Sequence, residues 1–243
     1  GSGGLAERVA AEIADHIRPG EPVPSVTETL LAWGIEPVAC TRFCEQPGLL
    51  HVGGTKDPDI AAITALAPDL VVVDREENRK EDADAIAAAG LGLHVTHVVH
   101  LAEVEATLRA LWAAVGQPDV NPWPSDEILA APPISRRAFV PIWRRPWMTI
   151  NGDTYGSTVM GACGVHNVFS GHPDRYPEVT IAEASGMRAD LVVLPSEPYA
   201  FAERHVAEVS VVAPDVRLLD GRDLFWWGAR TPGALVRITA ALA

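Results

Sequence analysis

No run in the 243-residue chain approaches the roughly 20 consecutive apolar residues that a membrane-spanning helix needs, so no such helix is expected. A basic start followed by an apolar core, the pattern of a secretory signal, is missing as well. The chain opens on Gly1-Ser2-Gly3-Gly4 without an initiator methionine, which reads as a cloning remnant and leaves room for an export signal upstream. Cysteine is scarce. Cys40, Cys44 and Cys163 make an odd set whose spacing fits neither a disulfide framework nor a zinc site, and small buried thiols are expected. Basic charge is in short supply too: 19 Lys and Arg stand against 32 Asp and Glu, a net charge of −13. That balance argues against nucleic acid or an anionic membrane surface as the main partner. The pair Gly53-Gly54 lacks the spacing of a phosphate-cradling loop and reads as a tight turn.

What the chain does have is apolar content, 48%, enough for a substantial core in one or two lobes. Residues 5–18 place Leu5, Val9, Ile13 and Ile17 four apart, the stripe of an amphipathic helix. Ser25, with Glu28 three residues on, reads as a capping box opening a helix that Gly34 stops. A strand over 35–40, a helix over 60–66 and a continuous apolar strand over 70–74 follow, the last suited to a parallel sheet buried on both faces. Then come a helix over 82–89, a strand over 93–96 and an amphipathic helix over 101–115. Residues 117–134 are proline-rich and read as a connector with one helical turn at 126–130. Beyond it lie a strand over 137–142, a short helix over 179–184, a strand over 191–195, a helix over 201–209, a strand over 216–219 and a final helix after Pro232. Strand and helix alternate twice over, which predicts an α/β protein of two Rossmann-like lobes.

The loop at 75–78 lies just past the end of a buried strand, where open parallel sheets set their ligand sites, although a charge run is most often a solvated face. His94, His97 and His100 recur every third residue, but residues three apart in a strand face opposite ways, so no metal site follows from them. Only His97, at the strand end, is placed near a ligand. Nothing pairs Cys44 or Cys163 with a histidine as a nucleophile, and no catalysis is expected.

Nine motifs in register sharpen this reading: PSVTETLLAWG from Pro24, TRFCEQP, VGGTKDPD, APDLVV, NGDTYGS from Asn151, GVHNVF, RYPEVT, ADLVVLPSEPY and LFWWGART. The set resembles the helical-backbone metal-chelate receptors, the substrate-binding proteins of ABC importers for cobalamin and siderophores, and lies closest to their cobalamin-binding branch. The likeness runs from about Pro24 to the C-terminus. It implies two α/β lobes joined by a long helix, a ligand cleft between them, little hinge motion, and no catalytic, covalent-cofactor or metal-ligand residues. The ligand it implies is a corrinoid first, with a siderophore or heme next. Carried over residue by residue, the likeness assigns Ser25, Thr27, Phe43, Thr55, Glu77 and Asn78 to one wall of that cleft. Trp143, Trp147, Asp153, Tyr155, Arg175, Tyr176, Glu197, Tyr199, Trp226, Trp227 and Arg230 fall to the other. Aromatic faces suit the apolar surface of a large flat chelate, and polar groups suit its side chains. In an extended segment only one of Trp226 and Trp227 is expected to be buried.

Three departures accompany the likeness. Such receptors begin with an apolar strand running straight into the PSVTE motif, whereas here Arg18-Pro19-Gly20-Glu21-Pro22 precedes it. Their bridging helix falls between the positions of Gly116 and Arg136, an interval too proline-rich here. The helix at 5–18 is therefore expected to be that bridging helix moved to the front. The domains are then 1–20 for this helix, 21–100 for the first lobe, 101–136 for a helix and connector, and 137–243 for the second lobe. Finally, the acidic residues that dock such receptors onto a permease match Ala61 and Ala182, with Glu77 and Glu183 as the nearest substitutes. A permease partner is thus in doubt, and a soluble carrier, sensor or biosynthetic accessory protein is the alternative. The expected location is periplasmic or cell-surface if an export signal was removed, and cytoplasmic otherwise.

Overall fold

The computed structural model describes the backbone of residues 9–13 and, with their side chains, residues 25–44, 46–118, 123 and 132–243. The chain divides into two compact units, residues 1–98 with 103–124 and residues 99–102 with 125–243. Unit 1 holds strands Val9–Ile13 (β1), Ala39–Cys40 (β2), Leu50–His51 (β3), Leu70–Asp74 (β4) and Leu93–Thr96 (β5). Its helices are Ser25–Ala32 (α1), Ile60–Leu66 (α2), Lys80–Ala88 (α3) and Val104–Ala114 (α4). All strand pairs are parallel, in the order β3-β2-β1-β4-β5. The chain winds outward from β1 to β3, then returns to the other side of β1 to lay down β4 and β5. That reversal puts a topological switch point between β1 and β4. Leu70-Val71-Val72-Val73 is almost wholly buried, as a central parallel strand should be, and Ala39, Val52, Ile63, Val71, Val73 and Ile86 form a core around it.

The helix expected over 5–18 is a strand where the structure describes it. Val9–Ile13 pairs with Ala39 of β2 on one side and with β4 on the other. The misreading has a physical cause: a spacing of four is even, so Leu5, Val9, Ile13 and Ile17 fit the two-residue alternation of a strand as well as a helical turn. An open slot between two parallel strands then outweighs helix propensity. The apolar strand that appeared to be missing before the PSVTE motif is therefore present, and the idea of a bridging helix moved to the front falls for these residues. Residues 14–24 and the helical turn expected at 126–130 lie outside the described residues.

Unit 2 holds Arg136–Phe139 (β6), Pro141–Trp143 (β7), Met148–Thr149 (β8), Val165–Asn167 (β9), Leu191–Pro195 (β10) and Asp215–Leu219 (β11). Tyr155–Ala162 (α5), Ile181–Gly186 (α6), Val206–Val209 (α7), Gly221–Phe225 (α8) and Thr231–Leu242 (α9) complete it. The main sheet is again parallel, in the order β11-β10-β6-β9, while β7 and β8 form a small antiparallel ribbon. Its switch point lies between β6 and β10. Helix starts are fixed by side chains: Thr154 accepts from the Ser157 N–H, and Thr180 and Glu183 form a reciprocal capping box. Gly156 lets α5 lie against α8, since a β-carbon there would come within 2.8 Å of the Phe225 ring.

Candidate functional site: two rims at the strand ends

In open parallel sheets, ligands gather outside the carboxyl ends of the strands at the switch point. In unit 1 these ends lead into α1 and into the loops carrying Phe43, Thr55, Glu77-Asn78 and His97. Two loops are tied together there. Asn78 accepts from the Asp74 N–H at 2.8 Å and donates from Nδ2 to the Thr55 carbonyl at 3.2 Å. Asn78 is thus a pin between the two loops. Arg42 and Asp57 clasp each other through two 2.9 Å bonds across the Gly53-Gly54 turn, and Arg42 also lies over the Phe43 ring at 4.7 Å. Gly53 sits at φ +93°, a region where a side chain would be strained.

Asp74, the last residue of β4, is the group in unit 1 that sequence reasoning missed. Its carboxylate accepts from Thr96 Oγ1 at 2.8 Å and from the Glu76 N–H at 2.9 Å. Burial at the switch point pushes its pKa up to about 6, more than those hydrogen bonds pull it down. The signal was available, because a carboxylate that ends a continuous apolar run must sit on a dry sheet edge. Ser25 and Thr27 are buried, and Thr27 Oγ1 lies 3.4 Å from Cys44 Sγ. Thr55 is fully buried and its hydroxyl has no hydrogen-bond partner among the described residues. His97 Nδ1 lies 3.7 Å from Glu76 Oε1, whereas His100 bonds Asp153 at 3.0 Å. With different partners, the spaced histidines do not converge, and no cluster able to hold a metal occurs among the described residues.

In unit 2 the strand ends carry rings. Trp147 stacks on Phe201 with centroids 5.9 Å apart and planes 6° from parallel. Tyr199 touches Phe201 at 4.7 Å and Trp143 edge-on at 5.4 Å, and the buried His205 packs against both Tyr199 and Phe201. Burial, with Arg204 and Arg144 nearby, lowers the His205 pKa and favours the neutral ring. Asp153 is exposed and held by Arg175 at 2.8 Å and by His100, which together lower its pKa. Tyr176 is half-buried on the same loop. Glu197, next to Tyr199, faces Arg222 at 3.5 Å.

Tyr155 lies inside unit 2: it is buried, its hydroxyl meets Thr231 Oγ1 at 3.0 Å, and burial raises its pKa. Trp226 and Trp227 are both buried, at 4% and 5% exposure, contrary to the expectation for an extended pair. They follow a helix and precede another, and Trp226 lies between the guanidiniums of Arg222 and Arg230 at 5.4 and 5.3 Å. Arg230 in turn bonds the buried Asp223 at 2.7 Å. All three cysteines are buried; a hydrogen bond with Cys40 and burial raise the Cys44 pKa, and burial raises that of Cys163. Neither thiol is activated as a nucleophile. Two open clefts lie at the opposite strand ends, one beside Val38 and Leu50 in unit 1 and one beside Arg137 and His166 in unit 2.

No family model matches the chain. The vitamin B12-binding proteins of Yersinia pestis (strain Pestoides F) and Yersinia pseudotuberculosis (serotype O:1b) are each 24% identical, over 70% of this chain and 66% of theirs. The chain thus spans just under two thirds of the length of these curated relatives. Among solved structures, the periplasmic vitamin B12 binding protein BtuF of Vibrio cholerae superposes with a TM-score of 0.76 at 19% identity, over 97% of this chain and 96% of that one. The periplasmic heme-binding protein RhuT from Roseiflexus sp. RS-1 gives 0.78 at 18% identity, over 97% of both chains. The chain is thus similar in sequence to vitamin B12-binding proteins and shares the fold of these vitamin B12- and heme-binding neighbours. The two-lobed α/β fold read from the sequence is the fold observed, and the neighbours named are binding proteins. The Glu183 carboxylate caps its own helix by accepting from the Thr180 N–H at 2.7 Å. No helix among the described residues is long and apolar enough to cross a membrane.

Proposed function

We propose that this protein binds a metal chelate reversibly and without turnover, as the substrate-binding component of an ABC importer, with a corrinoid as the first ligand to test and heme or a siderophore next. The observation that carries the reading is the aromatic cluster beyond the β7 and β10 ends, where Trp143 meets Tyr199 edge-on and Trp147 and Tyr199 both pack on Phe201, with His205 behind them. Such a surface suits a flat macrocycle, since ring faces cover apolar area while polar neighbours meet its substituents. The polar loops of unit 1, with Ser25, Thr27, Phe43, Thr55, Glu77 and Asn78, are proposed as the second contact surface. Asp153, Arg175, Tyr176, Glu197 and Arg230 are proposed to meet polar substituents. Tyr155, Trp226 and Trp227 support that surface from beneath. Location at the periplasmic or outer cell face follows from the same reading.

The test is titration of the full chain with cyanocobalamin, heme and ferric siderophores while tryptophan emission is followed. Quenching at micromolar ligand supports the reading, and a flat signal with all three overturns it. Pull-down by a co-encoded permease separates importer from carrier.

A further inference from the structure

The turn Trp143-Arg144-Arg145-Pro146-Trp147, which joins β7 to β8, treats its two arginines differently. Arg144 is tied to Glu208 at 2.8 Å. Arg145 is exposed, and among the described residues no hydrogen bond or ion pair engages its guanidinium. Its backbone lies at φ +75°, the left-handed region that a residue with a β-carbon adopts only under strain. Glycine would sit there freely, so the turn holds an arginine where backbone preference alone argues against one. The residues two before and two after it are the tryptophans whose rings are fixed by Tyr199 and Phe201. The whole chain is acidic, at −13. An anionic ligand therefore meets general repulsion and needs a local cation to be accepted.

We infer that Arg145 is a specificity-determining residue that reads an anionic group, a carboxylate or a phosphodiester, on the edge of the chelate whose face lies against the neighbouring tryptophans. The inference rests on the chelate-binding reading. A guanidinium offers two parallel donors to either oxyanion, and beside aromatic surface it is less fully hydrated than in open water. An ordinary solvated arginine would make no difference between charged and uncharged members of one ligand pair.

The experiment uses the full chain as wild type, Arg145→Gly and Arg145→Lys, titrated with two ligand pairs. Cyanocobalamin carries a phosphodiester that cobinamide lacks, and heme carries two carboxylates that its dimethyl ester lacks. Glycine keeps the left-handed turn, so R145G is expected to fold and to melt about 2 °C higher through relief of strain. Wild type is expected to bind the acid-bearing member of one pair roughly tenfold more tightly, R145G to lose that preference, and R145K to restore part of it. The pair that shows the effect identifies the group read. Wild type that binds chelates but treats both members of each pair alike, or R145G that matches wild type throughout, overturns this inference alone. Wild type that binds none overturns the chelate reading and this inference together.

Discussion

In unit 1 the strand ends carry polar side chains fixed by the main chain. Asp74 is held by Thr96 and a backbone N–H, and Asn78 bridges from β4 to the Thr55 carbonyl. In unit 2 the corresponding ends carry rings fixed by other rings, with arginine and carboxylate pairs outside them. Both sheets are parallel and both reverse their winding beside their first strand, so topology alone made two equivalent places for a site. The difference is one of energetics. Aromatic contacts are apolar and survive changes of pH, whereas a dry carboxylate at a sheet edge makes stability depend on protons.

The strongest way to break this contrast is Phe201→Ala. Phe201 is buried beneath both Trp147 and Tyr199, and its loss should destabilise the protein by about 4 kcal/mol in urea unfolding. A loss below about 1 kcal/mol would mean that the rings do not support one another.

The next largest effect belongs to unit 1. Asp74 has a folded pKa of about 6 against an ordinary 3.8, so between these values the folded state holds the proton more tightly than the unfolded chain. Its contribution is complete below 3.8 and is lost as pH rises through about 6. At about 1.4 kcal/mol per pKa unit, wild type should lose on the order of 3 kcal/mol across that window relative to Asp74→Asn. Parallel pH profiles of the two proteins in urea would remove Asp74 from the account.

The smallest expected effect is the most pointed. Thr55→Val replaces a buried hydroxyl that has no partner with a methyl of the same shape, and should stabilise the free protein by about 1 kcal/mol. If unit 1 contributes to the site through that hydroxyl, the same variant binds chelate more weakly. Greater stability with unchanged affinity would confine ligand recognition to the aromatic unit.

Strands β4 and β10 were legible in the sequence, because a strand buried on both faces must be apolar throughout and leaves no other pattern. Helix α2 was legible for its inward face and its stop at Ala67-Pro68. β1 was not, since an even spacing serves helix and strand alike. Helix α5 was hidden by Gly156 and Gly161, which weaken its propensity; it depends on the Thr154 cap and on Asn151 and Asn167, whose polar bonds are satisfied only after folding. At the candidate site, the positions of the loops were legible and the packing of individual side chains was not. Tyr155, Trp226 and Trp227 have the composition of a ligand wall, yet each is buried, because their elements are packed from both sides. Asp74 went unnoticed because it closes a strand instead of opening a loop.

The short segment 99–102 groups with unit 2 although residues on both sides of it belong to unit 1. His100 holds Asp153 and the Leu101 N–H donates to Thr158 Oγ1 at 2.9 Å, so four residues of the first half are fastened to the second. No single cut of the chain yields either unit whole. A fragment ending at residue 124 would carry away a strip that its counterpart needs, and the halves would have to be re-knit around that strip before either regained its native contacts.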